Sequence, residues 1–236
     1  MNPKRDWVER AKKSAALEAV KHVEDGFTVG LGSGSTAAYA IEELGNRIRK
    51  EGLRVLGVPT SYQAFMLAIK HEVPTTTLEE HPSLDLAIDG ADQVDSRLDL
   101  IKGMGGALAR EKIVASASKR FIIIADESKK AKFLGENDQA VPVEVLPFAA
   151  AFVTSKIKQL DGAGIMREGK GKVGPIVTDN GNVILDAHFG IIRNPAELER
   201  RLKAFPGVVE TGLFIGMADV VYFGTRSSVE RLESKH

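Results

Sequence analysis

Short apolar runs alternate with stretches of helical periodicity from the start of the chain to about Gly135. FTVGL (27–31) is followed by a helix through Ala37 to Arg49, and RVLGV (54–58) by a helix around Tyr62 to Lys70. LDLAI (84–88) comes next, then a helix from about Ala107 to Ser118 that leads into RFIIIA (120–125). Continuous apolar strands separated by helices predict a parallel sheet buried on both faces, a doubly wound α/β layer.

The rhythm changes after Gly135. VPVEVL (141–146) reads as a strand and Pro147 to Leu160 as a helix, while GPIVT (174–178) and NVILDAHF (182–189) flank Asn180-Gly181, a strong hairpin signal. Asn194-Pro195 supplies an N-cap and a first-turn proline for a helix to Ala204, and Gly207 precedes VVETGLF (208–214). The order β-α-β-β-α-β is ferredoxin-like. ADVVYFGT (218–225) would rejoin the first sheet. The expected fold is therefore a doubly wound parallel α/β domain, residues 1–135 plus 210–236, with an inserted ferredoxin-like α+β lid over residues 136–209.

Charge narrows the partners. Lys plus Arg and Asp plus Glu both total 32, so no net field gathers nucleic acid or an anionic membrane, and any anion must be held locally. The absence of Cys excludes disulfides, a thiolate nucleophile and Cys-ligated metals, and fits a reducing cytoplasm. The charged N-terminal stretch has no signal-peptide core. Phe121 to Ala125, like every other apolar run in the chain, falls far short of the ~20 residues that span a bilayer.

Three segments carry candidate chemistry. In GLGSGSTA (30–37), a strand turns straight into a helix, which aims unpaired amides and the positive end of the helix dipole at one spot. Gly32 and Gly34 admit close approach, and Ser33, Ser35 and Thr36 add hydroxyls. The plain alternative is a glycine turn with a Ser/Thr cap. Neither the Walker loop nor the dinucleotide fingerprint is spelled out, which points to a small phosphorylated metabolite. In LDLAIDGADQVD, the turn Asp89-Gly90-Ala91-Asp92 sits at the carboxyl end of a strand, where open α/β sheets bind ligands. Such acidic residues also serve as ordinary Asx caps.

In LIKGMGGALAREKIVA (100–115), Lys102 precedes Gly103, Met104 and Gly105 before a helix, a setting suited to an oxyanion. Glu111 has Ala107, Leu108, Val114 and Ala115 three and four positions away, so its carboxylate should lie off the solvated face, where burial favours general-base work. The plain alternative is a surface ion pair with Arg110 or Lys112. Lys129 in IADESKK follows another strand end, and Lys12 or Lys13 could fold over the Gly30 loop; each is otherwise an ordinary surface lysine. The five His show no metal-ligand spacing, Asp186 and His188 read as structural, and there is no Gly-x-Ser-x-Gly elbow.

Taken in order, GLGSGSTA, AIDGADQVD, IKGMGGALAREKIVA, IADESK and IVTDNGNVILD resemble ribose-5-phosphate isomerase A over nearly the whole chain. The resemblance implies interconversion of ribose 5-phosphate and ribulose 5-phosphate in the non-oxidative pentose phosphate pathway, with no metal and no organic cofactor. It also implies a Rossmann-like catalytic domain, a ferredoxin-like lid, and a homodimer or homotetramer without nucleic-acid or membrane partners. By position, Glu111 matches the family's base. Ser33, Gly34, Ser35 and Thr36 match its phosphate-side loop, and Asp89, Gly90, Ala91 and Asp92 its acidic turn. Lys102, Gly103, Met104 and Gly105 match its lysine-glycine loop, and Lys129 a further substrate contact. Met104 and Ser33 depart mildly from the family's usual residues, and only the backbone of Met104 need face a ligand. A sugar-phosphate deaminase or lactonase, or a non-catalytic sugar-phosphate sensor, are the competing expectations.

Overall fold

The computed structural model describes residues 3–169, 171 and 173–234. In chain order its first elements are α1 (Pro3–Val20), β1 (Thr28–Leu31), α2 (Gly34–Glu51), β2 (Leu56–Pro59), α3 (Tyr62–Lys70), β3 (Leu86–Gly90), β4 (Gln93–Val94), β5 (Leu100–Ile101), α4 (Leu108–Ser116) and β6 (Phe121–Asp126). There follow β7 (Val141–Val145), α5 (Ala150–Lys158), β8 (Ala163–Met166), β9 (Val183–His188), α6 (Pro195–Lys203), β10 (Val208–Thr211), β11 (Leu213–Phe214), β12 (Val220–Gly224) and β13 (Val229–Glu233). The described residues fall into two compact units, one from 1–91, 110–129 and 217–236, the other from 92–109 and 130–216.

In the first unit six strands run β13-β12-β6-β3-β1-β2, parallel except for the β12–β13 pair. Val29 and Leu31 on β1, Leu86 and Ile88 on β3, and Ile122 and Ile124 on β6 share one core with Ala15, Ala16 and Ala19 of α1 and Ile41 and Leu44 of α2. The residues between them face the other side. There a Cβ on Gly30 would overlap Val114 of α4 and the Ala87 methyl, and Ile123 is fully buried. Burial of both faces is why these strands read as unbroken apolar runs rather than alternating ones. The local signals act as the sequence suggests: Ser61 caps α3 by accepting from the Ala64 amide at 3.1 Å, and α2 ends at Gly52, whose φ of +70° a side chain would resist. ADVVYFGT does rejoin this sheet, as β12 beside β6.

In the second unit an antiparallel sheet runs β10-β7-β9-β8, and the β-α-β-β-α-β order is β7-α5-β8-β9-α6-β10. Asn194 caps α6 with Pro195 at its first turn. The order matches the expectation, but its second strand does not. GPIVT forms no strand beyond a single bridge of Pro175 with Glu168, and the hairpin partner of β9 is β8. Asn180-Gly181 does turn the chain, with Gly181 at φ +81°, yet a buried carboxylate ties the turn down. Glu144 Oε1 on β7 accepts from Thr178 Oγ1 (2.9 Å), Asn180 Nδ2 (3.0 Å) and Asn182 Nδ2 (2.8 Å). β8 escaped the sequence reading because its Gly164 weakens a strand signal, although the glycine has a packing purpose: a Cβ there would meet Ile157 of α5 at 3.1 Å. A small three-stranded sheet, β11-β5-β4, was not foreseen either, since strands of two residues leave no period to read.

Candidate active site

At the carboxyl ends of the first unit's strands, β1 runs into Gly32, whose amide bonds the Ile88 carbonyl at 2.9 Å. A Cβ on Gly32 would overlap the Asp89 carboxylate, so only glycine allows this approach. Asp89 is 2% exposed, and its Oδ1 accepts from the amides of Ser33 (3.1 Å) and Gly90 (2.7 Å). The Ser33 hydroxyl turns away from its own helix, bonding Thr60 Oγ1 (2.8 Å) and Ser61 Oγ (2.5 Å), and Gly34 at φ +92° donates its amide to Gln63 Oε1 at 2.9 Å. What stays presented is the next pair of amides, Ser35 and Thr36, which as first-turn residues of α2 have no acceptor within the helix. Lys12 of α1 reaches the same turn, its Nζ 3.2 Å from Ser35 Oγ and 2.9 Å from Glu9, and Thr36 lies beside Gly90. Two amides, a helix dipole, a hydroxyl and an ammonium converge there, a setting for an anion of phosphate size.

Also in this unit, Glu111 is 4% exposed in the first turn of α4, and the neighbours Leu108, Val114 and Ala115 are all buried. A carboxylate in that position is off the solvated face. Asp126 ends β6 and accepts from the amide (3.1 Å) and hydroxyl (2.5 Å) of Ser128, shaping the short turn Glu127–Lys129 that carries half-buried Lys129.

In the second unit the Asp92 amide bonds the Ile101 carbonyl (2.9 Å), while Asp92 Oδ2 accepts from the Met104 amide (3.0 Å). The Lys102–Gly105 turn is thus closed on the residue that ends the acidic turn, with Gly103 at φ +97° making the bend. Lys102 is 2% exposed; its amide bonds Gly212 (2.8 Å), and its Nζ lies 5.4 Å from the centre of the Phe214 ring, a cation–π contact. The Met104 backbone is engaged on both sides, so the amides left to meet a ligand in this turn are those of Gly103 and Gly105. The Met104 side chain is 44% exposed.

One residue here was not singled out from the sequence. Arg167 Nη1 donates to the carbonyls of Gly103 and Met104, each at 3.0 Å, while its Nε (2.8 Å) and Nη2 grip the Asp186 carboxylate. The fork fixes the turn from behind. The signal that could have found it is hairpin register: Arg167 follows β8 and bonds Ile184 of β9, a pairing hidden once GPIVT is taken as the partner strand. Asp186 thus supports this turn, whereas His188 pairs with Asp138, His22 with Tyr222 and His81 with Thr76. His236 lies outside the described residues.

The sequence profile of ribose 5-phosphate isomerase A (phosphoriboisomerase A) matches residues 56–228. The ribose-5-phosphate isomerase A of Methanosarcina acetivorans is 51% identical over 221 residues, covering 94% of this chain and 93% of that protein. Among solved structures, ribose 5-phosphate isomerase A from Methanocaldococcus jannaschii aligns with a TM-score of 0.91 at 46% identity, covering 98% of this chain and 99% of that one. A D-ribose-5-phosphate isomerase in complex with phospho-erythronic acid aligns with a TM-score of 0.93 at 44% identity, covering 99% of this chain and 100% of that one.

Proposed function

This chain belongs to the ribose 5-phosphate isomerase A family, and from that premise we propose how its residues divide the work. The protein is an aldose–ketose isomerase that interconverts ribose 5-phosphate and ribulose 5-phosphate, a reaction of the pentose phosphate pathway. In the forward direction a proton leaves carbon 2 and its electron pair forms the C1=C2 bond as the carbonyl becomes an enediolate; the O2 proton then passes to O1, and a proton returns at carbon 1 as the C2 carbonyl forms. Glu111 is the base and then the acid. Burial of Glu111 at 4% exposure is the observation that carries this assignment, because a carboxylate set apart from bulk water can keep the proton it takes from carbon 2 and return it at carbon 1.

Lys102 with the Gly103 and Gly105 amides stabilises the growing negative charge on the carbonyl oxygen, and Arg167 positions that turn. The Ser33–Thr36 turn and Lys12 hold the phosphate, whose binding energy orients the reacting carbons. Asp89 and Asp92 act in ring opening and hold the hydroxyls, and Lys129 is a further substrate contact. The phospho-erythronic acid in a similar structure supports a phosphorylated, hydroxylated ligand of this class.

The working form is a homodimer or homotetramer in the cytoplasm. Leu146, Phe148 and Phe152, exposed close together where α5 begins, supply an apolar surface consistent with self-association. Light scattering on the eluting protein checks the assembly, and a monomer across concentrations would refute it. Among the described residues no helix is long and apolar enough to cross a membrane.

The decisive experiment is Glu111→Gln. Binding of ribose 5-phosphate should persist while kcat falls by roughly 10²–10⁴-fold or more. Turnover near that of the parent protein would remove Glu111 from the role.

A further inference from the structure

A cavity of about 330 Å³ opens in the surface of the first unit where α1 passes the turn between β12 and β13, residues 225–228. Arg10 and Arg226 both line it, with the hydroxyls of Ser14, Ser227 and Ser228. Among the described residues neither guanidinium has a carboxylate partner. Two arginines on the lining of one concave surface, with hydroxyl donors beside them, offer an anion charge-assisted hydrogen bonds.

Arg226 is held in place rather than merely present. Arg226 stacks on the Trp7 ring, 5.3 Å from its centre, and Trp7, Arg10 and Ser14 share one face of α1 at helical spacing. The turn that carries Arg226 is braced by Thr225 Oγ1, which accepts from the amides of Ser227 (3.3 Å) and Ser228 (3.0 Å). α1 lies directly on the strand before that turn, since a Cβ on Gly224 would overlap the Ala11 carbonyl. Gly224 is level with Asp126 of β6, so the turn leaves the sheet at the carboxyl end of its parallel strands. Lys12, two residues from Arg10 and so on another side of α1, is the one that reaches Ser35. The cavity is therefore a different place from the phosphate-side turn.

We propose that this cavity is a second anion site, one that takes the phosphate of a small hydroxylated phosphomonoester between Arg10 and Arg226. The volume is near the lower end of the roughly 300–1,000 Å³ of small-molecule sites, more than a bare ion fills. Glu18 on its wall, bonded to Lys21 at 2.7 Å, supplies an acceptor for a hydroxyl on the ligand body.

Trp7 is the sole tryptophan of the chain, which makes the site self-reporting. Inorganic phosphate and glycerol 3-phosphate are titrated into the full-length protein at constant ionic strength while Trp7 fluorescence and, separately, heats of binding are recorded. The expected result is a saturable response to both anions in the ~1 mM range, tighter for glycerol 3-phosphate. Arg10→Gln should weaken the Trp7 response by about tenfold or more, and Arg10→Gln with Arg226→Gln should remove one of two calorimetric events and leave the one at the Ser33–Thr36 turn, with isomerase kcat unchanged in both. Calorimetry carries the second variant because Arg226→Gln alters the surroundings of Trp7 directly. No saturable response, or one undiminished in either variant, would overturn the proposal.

Discussion

Two glycine turns in this molecule carry the proposed substrate contacts, and they are built in opposite ways. The Gly32–Thr36 turn grows out of a six-stranded sheet, and its rigidity comes from neighbours in the same layer: Asp89 on the adjacent strand, then Thr60, Ser61 and Gln63 just beyond the next. Its positive character is that of a helix dipole and of one lysine, Lys12, that also has a carboxylate partner. The Lys102–Gly105 turn has strands of only two residues behind it and a buried lysine within it. Its order comes from Asp92 in front and from the Arg167–Asp186 pair behind. On the proposed division of work, the first turn suits charge that is already on the substrate. The second suits charge that appears only during reaction, since a buried ammonium acts through a low dielectric and needs little reorganisation.

That contrast is tested most severely by Lys102→Met. Methionine fills a similar volume but leaves the groups that Lys102 contacts uncompensated, and removing one partner of a buried charge costs the fold about 3–5 kcal/mol. The melting temperature should therefore fall, and in the folded protein kcat should drop by about 10²–10³-fold with KM little altered. A variant that instead loses affinity and keeps its turnover would make Lys102 a ground-state binder like the other turn, and the distinction would collapse.

Arg167→Lys should have the next largest effect. The charge stays, but a lysine has no planar fork and cannot hold two carbonyls and a carboxylate together. A loss of roughly tenfold or more in kcat, with KM within about threefold, is expected if Arg167 works by orienting the turn. Equal losses in Arg167→Lys and Arg167→Met would support positioning, whereas full activity in the lysine variant would show that only its charge matters.

The same contrast explains what could be read from the sequence. Elements of the first unit are local in their causes: apolar runs, a serine cap at Ser61, a glycine stop at Gly52. The strands and helices expected there are found within a few residues of their expected ends. The glycine turn was visible too, because its form resides in backbone and spacing. In the second unit the β-α-β-β-α-β order was legible, but the strand at Ala163–Met166 was not. Its signal is broken by a glycine that exists to admit Ile157, and the louder Asn-Gly turn belongs to a clamp around Glu144. Arg167 was illegible for a deeper reason. It meets the turn it serves more than sixty positions along the chain, and no local pattern distinguishes it from a surface arginine. The family resemblance located the Lys102 loop but carried no information on what braces it.

The smallest effect should come from Ser33→Ala. Ser33 looks like a phosphate ligand in the sequence, yet its hydroxyl is spent on Thr60 and Ser61, while its amide goes to Asp89. Both partners keep other bonds after the change, Thr60 to the Leu31 carbonyl and Ser61 to the Ala64 amide, so no buried polar group is stranded. Loss of a neutral hydrogen bond of this kind costs about 0.5–1.5 kcal/mol. If the turn binds phosphate through the Ser35 and Thr36 amides and the helix dipole, KM for ribose 5-phosphate should rise by no more than about tenfold and kcat should stay put. A rise of about a hundredfold would mean that the hydroxyl swings to the phosphate when substrate is bound. The first turn would then owe its affinity to side chains, and the division between a backbone-built anchor and a side-chain-built catalytic turn would have to be redrawn.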